Sequence, residues 1–195
     1  MGKGRLEGFT DGVVAIVITI MVLELKLPPS PDVAGVLGIM PNFLIYALSF
    51  AFIGSFWNNH HHLLQATRQI NGTVLWANLF LLFWLSLIPF VIRWIGEAGI
   101  SPLPIAAYGL VLLLSAGGYA WLERSIIAVD PSNSVLARAI GADWKGWLSL
   151  FAYFAAIPLA LVSPWLSVAL YTGVAIVWLI PDRRIEAALS IDATK

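Results

Sequence analysis

Six apolar stretches, each close to the length of a membrane-spanning helix, occupy most of this 195-residue chain. A helix exposed to lipid needs about 20 apolar residues to cross the hydrocarbon layer. The stretches are continuously apolar rather than alternating, which favours helices over the strands of a membrane barrel. We therefore expect an all-α integral membrane protein, a single domain over 1–195, with six transmembrane helices near residues 9–27, 36–57, 73–95, 102–122, 147–162 and 164–180.

Composition narrows the function classes. Only 11% of the residues are charged, whereas soluble domains carry roughly a quarter. Cysteine is absent, which excludes disulfides, thiolate catalysis and cysteine-ligated metals. The chain contains no nucleophile-elbow or phosphate-loop motif and no paired intramembrane carboxylates. We expect no enzymatic activity and no cofactor, and neither nucleic acid nor a soluble protein is implied as a partner.

The basic residues predict how the helices cross the lipid bilayer. With six spans, nine Lys and Arg side chains fall on the side of the N-terminus, and only Lys26 and Arg93 fall opposite. The excess of Lys and Arg marks the cytoplasmic side. We therefore expect both termini in the cytoplasm. The nine residues are Lys3, Arg5, Arg68, Arg124, Arg138, Lys145, Arg183, Arg184 and Lys195.

The first apolar stretch is too short for a helix surrounded by lipid. Only residues 12–23 are apolar, between Asp11 and Glu24. At about 100° per residue, Ile16, Ile20, Leu23 and Leu27 form one stripe, with Thr19 at its edge and Asp11 on the far side. Such stripes are usually packing surfaces. In lipid, however, burying an aliphatic stripe brings no hydrophobic gain, and on an axis shared by subunits it would form rings that gate by dewetting.

Polar groups at membrane depth are candidate functional groups. Asp11 has possible partners in Arg5 and in the stretch from Trp57 to His62, and Asn78 lies at a similar depth. Hydrogen bonding of Asp11 to His60 or His61 is the favoured arrangement. Three consecutive histidines do not predict a metal site, because successive helical residues point about 100° apart and no other ligands accompany them.

These residues form the pattern of a known family. Arg5-x-x-x-Phe9-Thr10-Asp11 resembles the Arg-x-x-x-Phe-Ser-Asp signature of the prokaryotic TMEM175-like potassium channels, with Thr10 in place of serine. The similarity extends to Trp57-x-x-His60-His61, to Asn78 and to Leu87-Ile88-Pro89-Phe90.

The resemblance implies a homotetramer in which helix one lines a central pore without a conventional selectivity filter. It implies constrictions at Ile16, Ile20 and Leu23, with Thr19 as a hydroxyl layer near which K⁺ passes. A structural lock would hold the pore helix, formed by Arg5, Phe9, Thr10, Asp11, Trp57, His60, His61 and Asn78.

The predicted function is therefore a potassium-preferring cation channel with aliphatic gating rings. One alternative is a proton-coupled secondary transporter or small-solute permease that uses Asp11 or Glu24. The chain shows no internal repeat and no pair of broken helices of the kind many transporters have. A membrane scaffold without transport activity is a further alternative, in which Asp11 would act only in packing.

Overall fold

The computed structural model describes residues 2–65, 67, 69–129 and 143–179, and all of the apolar segments within them are helical. This confirms the predicted all-α membrane architecture: five segments have the length and hydropathy of membrane spans, and a sixth apolar helix has 16 residues. Of the basic residues used to predict orientation, Arg68, Arg138, Arg183, Arg184 and Lys195 lie outside the described residues. The helices are α1 (Lys3–Leu23), α2 (Val33–Gln65), α3 (Gly72–Ser86), α4 (Ile88–Ala98), α5 (Pro102–Val129), α6 (Trp144–Val162) and α7 (Pro164–Leu179).

The third apolar segment is interrupted at Leu87, which separates α3 from α4. The Leu87 N–H bonds to the Trp84 carbonyl three residues back, a tighter turn than the α-helical one. Pro89 has no N–H to donate to the carbonyl four residues before it, which explains the interruption at this point. The chain still continues in the same direction, so α3 and α4 together span 27 residues.

The interior is built around α5, which packs against α3, α4, α6 and α7. Close approach of α3 and α5 depends on Gly118, where a side-chain carbon would lie 3.0 Å from the Leu81 backbone. Several buried hydroxyl groups are paired here: the Tyr171 hydroxyl donates to the Ile105 carbonyl, and the hydroxyls of Ser49 and Tyr108 lie 2.8 Å apart. Helices α6 and α7 form a tight hairpin, with Ser163 alone between them.

Helix α1 lies at the side of this bundle, against α2, α3 and α4. It begins at Lys3, six residues earlier than predicted, and ends at Leu23, with Glu24 as its C-cap. One stripe of α1 is buried in the chain, consisting of Leu6, Thr10, Val14, Val17 and Met21. The side of α1 that carries Ile16, Ile20 and Leu23 is exposed in the single chain.

Candidate functional site

The aliphatic stripe predicted on α1 is exposed in the single chain rather than buried. Ile16 is 59% exposed, Ile20 41% and Leu23 79%. The buried stripe lies about 120° around the helix, so packing inside the chain uses different residues. The stripe is therefore not part of the chain's own core, which was the common interpretation of such a pattern. Its surroundings are lipid, solvent or other subunits.

Thr19 lies on the same exposed side of α1. Its hydroxyl donates to the Ile16 carbonyl at 2.9 Å, which fixes the side chain against its own helix. The hydroxyl oxygen keeps lone pairs that point away from the helix. Thr19 therefore places one oxygen acceptor at the edge of the stripe, at a level between Ile16 and Ile20.

A groove of roughly 800 Å³, open on one side, separates α1 from α4. Ile16 and Ile20 form its α1 wall and Pro89 and Phe90 its α4 wall. At its far end, Arg93 lies 3.9 Å from the Glu24 carboxylate and 3.1 Å from that of Glu97. The groove leaves the aliphatic stripe free of contact with α4 along much of its length.

The opposite end of α1 is fixed by a buried hydrogen-bond chain, which we call the His60–Asn78–Thr10 triad. The Nε2 atom of His60 lies 2.8 Å from Oδ1 of Asn78, and Nδ2 of Asn78 donates to Oγ1 of Thr10 at 2.9 Å. All three side chains are almost completely buried. Because the Asn78 carbonyl accepts, His60 carries a proton on Nε2. The triad links α2, α3 and α1 through one amide.

A second set of polar contacts, which we call the α1–α2 ladder, runs along the surface beside the triad. The Trp57 indole N–H donates to Asp11 at 2.8 Å, Nδ1 of His61 lies 3.3 Å from Glu7, and the Lys3 ammonium donates to the Gln65 carbonyl at 3.1 Å. The Trp57 and His61 rings stack at 6.1 Å. Each rung advances by four residues along both antiparallel helices, which keeps all the partners on facing stripes.

Two expected contacts are absent from this arrangement. Asp11 pairs with neither His60 nor His61, because His60 turns inward to Asn78 and His61 faces Glu7, one helical turn away. Asp11 instead accepts a hydrogen bond from the Trp57 indole N–H. This corrects the prediction of a histidine–aspartate bond.

Arg5 and Phe9 are also outside the lock that was predicted for them. Both are exposed, and Arg5 has no hydrogen bond or ion pair with the described residues. Arg5 and Asp11 are six residues apart, so their side chains leave α1 about 120° from each other and cannot meet. Arg5 and Phe9 instead continue the stripe of Ile16 and Ile20 toward the N-terminus.

Sequence reasoning missed the roles of Lys3, Glu7 and Gln65. A signal for them was present: Lys3, Glu7 and Asp11 are spaced by four, as are Trp57, His61 and Gln65. The histidines do not converge on one point. Within the ranges that the structure describes, no group of three or more His, Asp or Glu side chains is placed to hold a metal ion.

Comparison with known proteins relates this arrangement to a family. The sequence profile of the family described as "Endosomal/lysosomal potassium channel TMEM175" matches residues 5–89, which contain the triad and every residue of the ladder except Lys3. A potassium channel of a Chryseobacterium species is 48% identical over 189 residues, 97% of this chain and 98% of the relative. A potassium channel of Streptomyces collinus is 30% identical over 86% of each chain.

Solved structures include a chain with the same fold. The crystal structure of a lysosomal potassium-selective channel TMEM175 homolog from Chamaesiphon minutus superposes with a TM-score of 0.79. It is 26% identical in sequence, and the match covers 92% of this chain and 97% of that one. The similar proteins are channels, not enzymes.

Proposed function

Because this chain belongs to the TMEM175 family of potassium channels, we propose that it forms a potassium-preferring cation channel in the bacterial cytoplasmic membrane. Four copies would surround one axis, with both termini of each copy in the cytoplasm. Helix α1 lines the pore, and no cofactor is needed because the only ligand is the permeating K⁺. The relatives named as potassium channels, and matched nearly end to end, support this assignment.

The exposure of the stripe on α1 is the observation that carries the proposal. Its own chain leaves this apolar face of α1 exposed, and α1 has only 12 uninterrupted apolar residues. Such a helix is better suited to a position on an axis shared by several copies than to contact with lipid. Around such an axis, Ile16, Ile20 and Leu23 form three aliphatic rings that exclude water and hydrated ions when narrow. The Thr19 hydroxyls between them offer oxygen atoms to a partly dehydrated K⁺.

The lock at the N-terminal end of α1 gives this helix a fixed base. In the proposed channel, Asp11 holds Trp57 and does not contact ions. The residues that control permeation lie on the other side of α1. The lock comprises the triad and the ladder, which tie α1 to both α2 and α3.

Ion flux into proteoliposomes tests the proposal. We expect the native chain to carry K⁺ more readily than Na⁺ without any coupled substrate, and Ile16→Asn to carry both faster and with less discrimination, because the amide wets the ring. The matched control is Ile176→Asn, which changes a residue of similar exposure, 56%, on α7. Unaltered flux in Ile16→Asn, or flux that appears only with a co-transported solute, would contradict the proposal.

A further inference from the structure

A cavity separate from α1 lies where α2, α5, α6 and α7 converge, at the end of the bundle where α6 begins. Its empty volume, including the open mouth, is about 490 Å³. Small side chains at Ala116, Ala120 and Gly146 create the space between the helices. Five aromatic rings form most of the wall: Phe52, Phe56, Tyr119, Tyr153 and Trp178.

Three polar side chains in the wall of this cavity make no hydrogen bond to the residues that the structure describes. Tyr153 is only 2% exposed, and its hydroxyl makes no hydrogen bond to any described residue. The Ser55 hydroxyl and the Asn59 amide, one turn apart on α2, are also without a hydrogen bond within the described ranges. A ligand that fills the cavity would cover these groups, and a covered hydroxyl without a partner costs about 1–3 kcal/mol, so the wall is suited to a molecule that supplies the missing bonds.

The charges at the mouth of the cavity balance. Asp143 lines the mouth and caps α6 by accepting from the Gly146 N–H at 3.0 Å. A neighbouring cavity shares Asp143 and also contains Glu123 and Arg124, while the Lys145 ammonium lies 5.9 Å from the Trp178 ring. Counted over the described residues, two acidic and two basic side chains give no preference for either sign. An uncharged ligand meets no electrostatic penalty here.

We propose that this cavity binds a small uncharged aromatic molecule of the phenol class. Its ring would lie between the aromatic side chains, and its hydroxyl would bond to Tyr153 or to the Ser55 and Asn59 pair. A lipid acyl chain would fill the same space but leave all three polar groups unpaired. The site is distinct from the proposed pore, since α1 contributes no residue to it.

Helix α2 connects the cavity to the lock, so a ligand bound in the cavity can affect the lock through this helix. Ser55, Phe56 and Asn59 face the cavity, while Trp57, His60 and His61 on other faces of the same helical turns hold α1. A ligand that stiffens or shifts this part of α2 therefore changes the base of α1. This consequence, unlike binding itself, rests on the proposed channel function.

Binding of 4-fluorophenol to the purified full chain in detergent, followed by fluorine NMR, tests the site. We expect a saturable shift that unlabelled phenol reverses. Ala120→Leu, which fills the cavity, should abolish it, whereas Ala169→Leu at an exposed position of α7 should leave it unchanged. Tyr153→Phe keeps the ring and the cavity, and should weaken binding about five- to tenfold through the lost hydrogen bond.

Several results would overturn the inference. One is a non-saturable shift that is the same in the native chain and its three variants. Another is no shift at all, as expected for a cavity that holds only water. A third is unchanged affinity in Tyr153→Phe. Because NMR reports binding without ion flux, a failed site and a failed channel assignment remain distinguishable. Potassium flux measured with and without 4-fluorophenol then tests the coupling through α2.

Discussion

Asn78 is the residue that connects three helices through a single side chain. Its amide accepts from His60 and donates to Thr10, and all three groups are buried. Asn78→Leu keeps the approximate volume but leaves an imidazole and a hydroxyl without these bonds. We expect it to lower the free energy of unfolding by about 1–3 kcal/mol. The value is modest because hydrogen bonds between membrane helices contribute less than their shielding from water would suggest. Unfolding in mixed detergent micelles measures this.

Asn58→Leu is the matched control for that prediction. Asn58 is exposed on α2, close in sequence to His60, and makes no hydrogen bond to the described residues. We expect its replacement to change the unfolding free energy by less than about 0.5 kcal/mol. Because His60 and Asn78 share one bond, His60→Leu and Asn78→Leu together should cost less than their sum. Additive costs would show that the triad does not act as a unit.

Sequence alone identified which residues carry polar chemistry but not how they pair. His60 and Asn78 were placed in one region because they lie at similar depth in adjacent spans, and Thr10 was added through the family motif. The partner of Asp11 depended on the relative rotation and register of α1 and α2. A single sequence does not contain that information. A histidine was therefore predicted as the partner of Asp11, whereas the actual partner is the Trp57 indole.

At the scale of helices, the start of α2 contains a pH-sensitive cap. The Asp32 carboxylate accepts from the Ser30 hydroxyl at 2.6 Å and the Gly35 N–H at 2.8 Å, and these bonds hold the pKa of Asp32 below its usual range. Gly35 is required because a side-chain carbon would collide with the Ser30 carbonyl.

Asp32→Ala should therefore speed amide hydrogen exchange in the first turn of α2 at neutral pH. A lowered folded-state pKa stabilises the helix start above the usual pKa of aspartate. This contribution disappears as the pH falls through the lowered value. We expect the difference between variant and native chain to vanish in strongly acidic solution, by exchange mass spectrometry. A difference that persists there would contradict the cap.

At the far end of α1, an ion pair reaches α4: the exposed Arg93 lies 3.9 Å from the half-buried Glu24 carboxylate. Such pairs contribute at most about 1 kcal/mol, so this pair adds little to the packing of α1 against α4. Arg93→Met should broaden the distance distribution between nitroxides at Leu27→Cys and Gly96→Cys, in subunits diluted with unlabelled chain. The chain has no cysteine of its own, so labelling is site-specific.

Lys26→Met controls for charge at this end of the protein. Lys26 is exposed and has no ion pair with the described residues, yet its replacement removes the same unit of charge. We expect it to leave the distance distribution unchanged. Equal broadening in both variants would attribute the effect to charge in general rather than to the Glu24–Arg93 contact.

On the scale of the whole molecule, apolar length was sufficient to predict six helical segments, because the bilayer sets that length. The same reasoning missed the interruption at Leu87. Pro89 is visible in the sequence, but a proline alone does not predict an interruption here, because α2 continues through Pro41 and α6 through Pro158. The cavity beside Tyr153 was also beyond prediction. It arises from small residues on several helices that meet only after folding.

Assembly around α1 predicts which positions of different copies meet. Leu23→Cys, on the exposed stripe, should form crosslinks between copies in membranes treated with an oxidant or a short bifunctional thiol reagent. Val162→Cys at the end of α6 is 83% exposed and should react far less with its counterparts. Crosslinked dimers in denaturing gels provide the measurement. The reverse pattern would exclude α1 from a shared axis.

The ladder makes α1 a lever with its fulcrum near Asp11. At 1.5 Å per residue, Ile16 lies about 7.5 Å and Leu23 about 18 Å beyond that point. Sliding α1 by one residue would break every rung at once, so tilting is the motion that the contacts permit. A tilt of about 10° moves Ile16 by roughly 1.3 Å and Leu23 by roughly 3 Å. In the proposed channel, the outer ring widens first and the ring nearest the fulcrum remains the narrowest step.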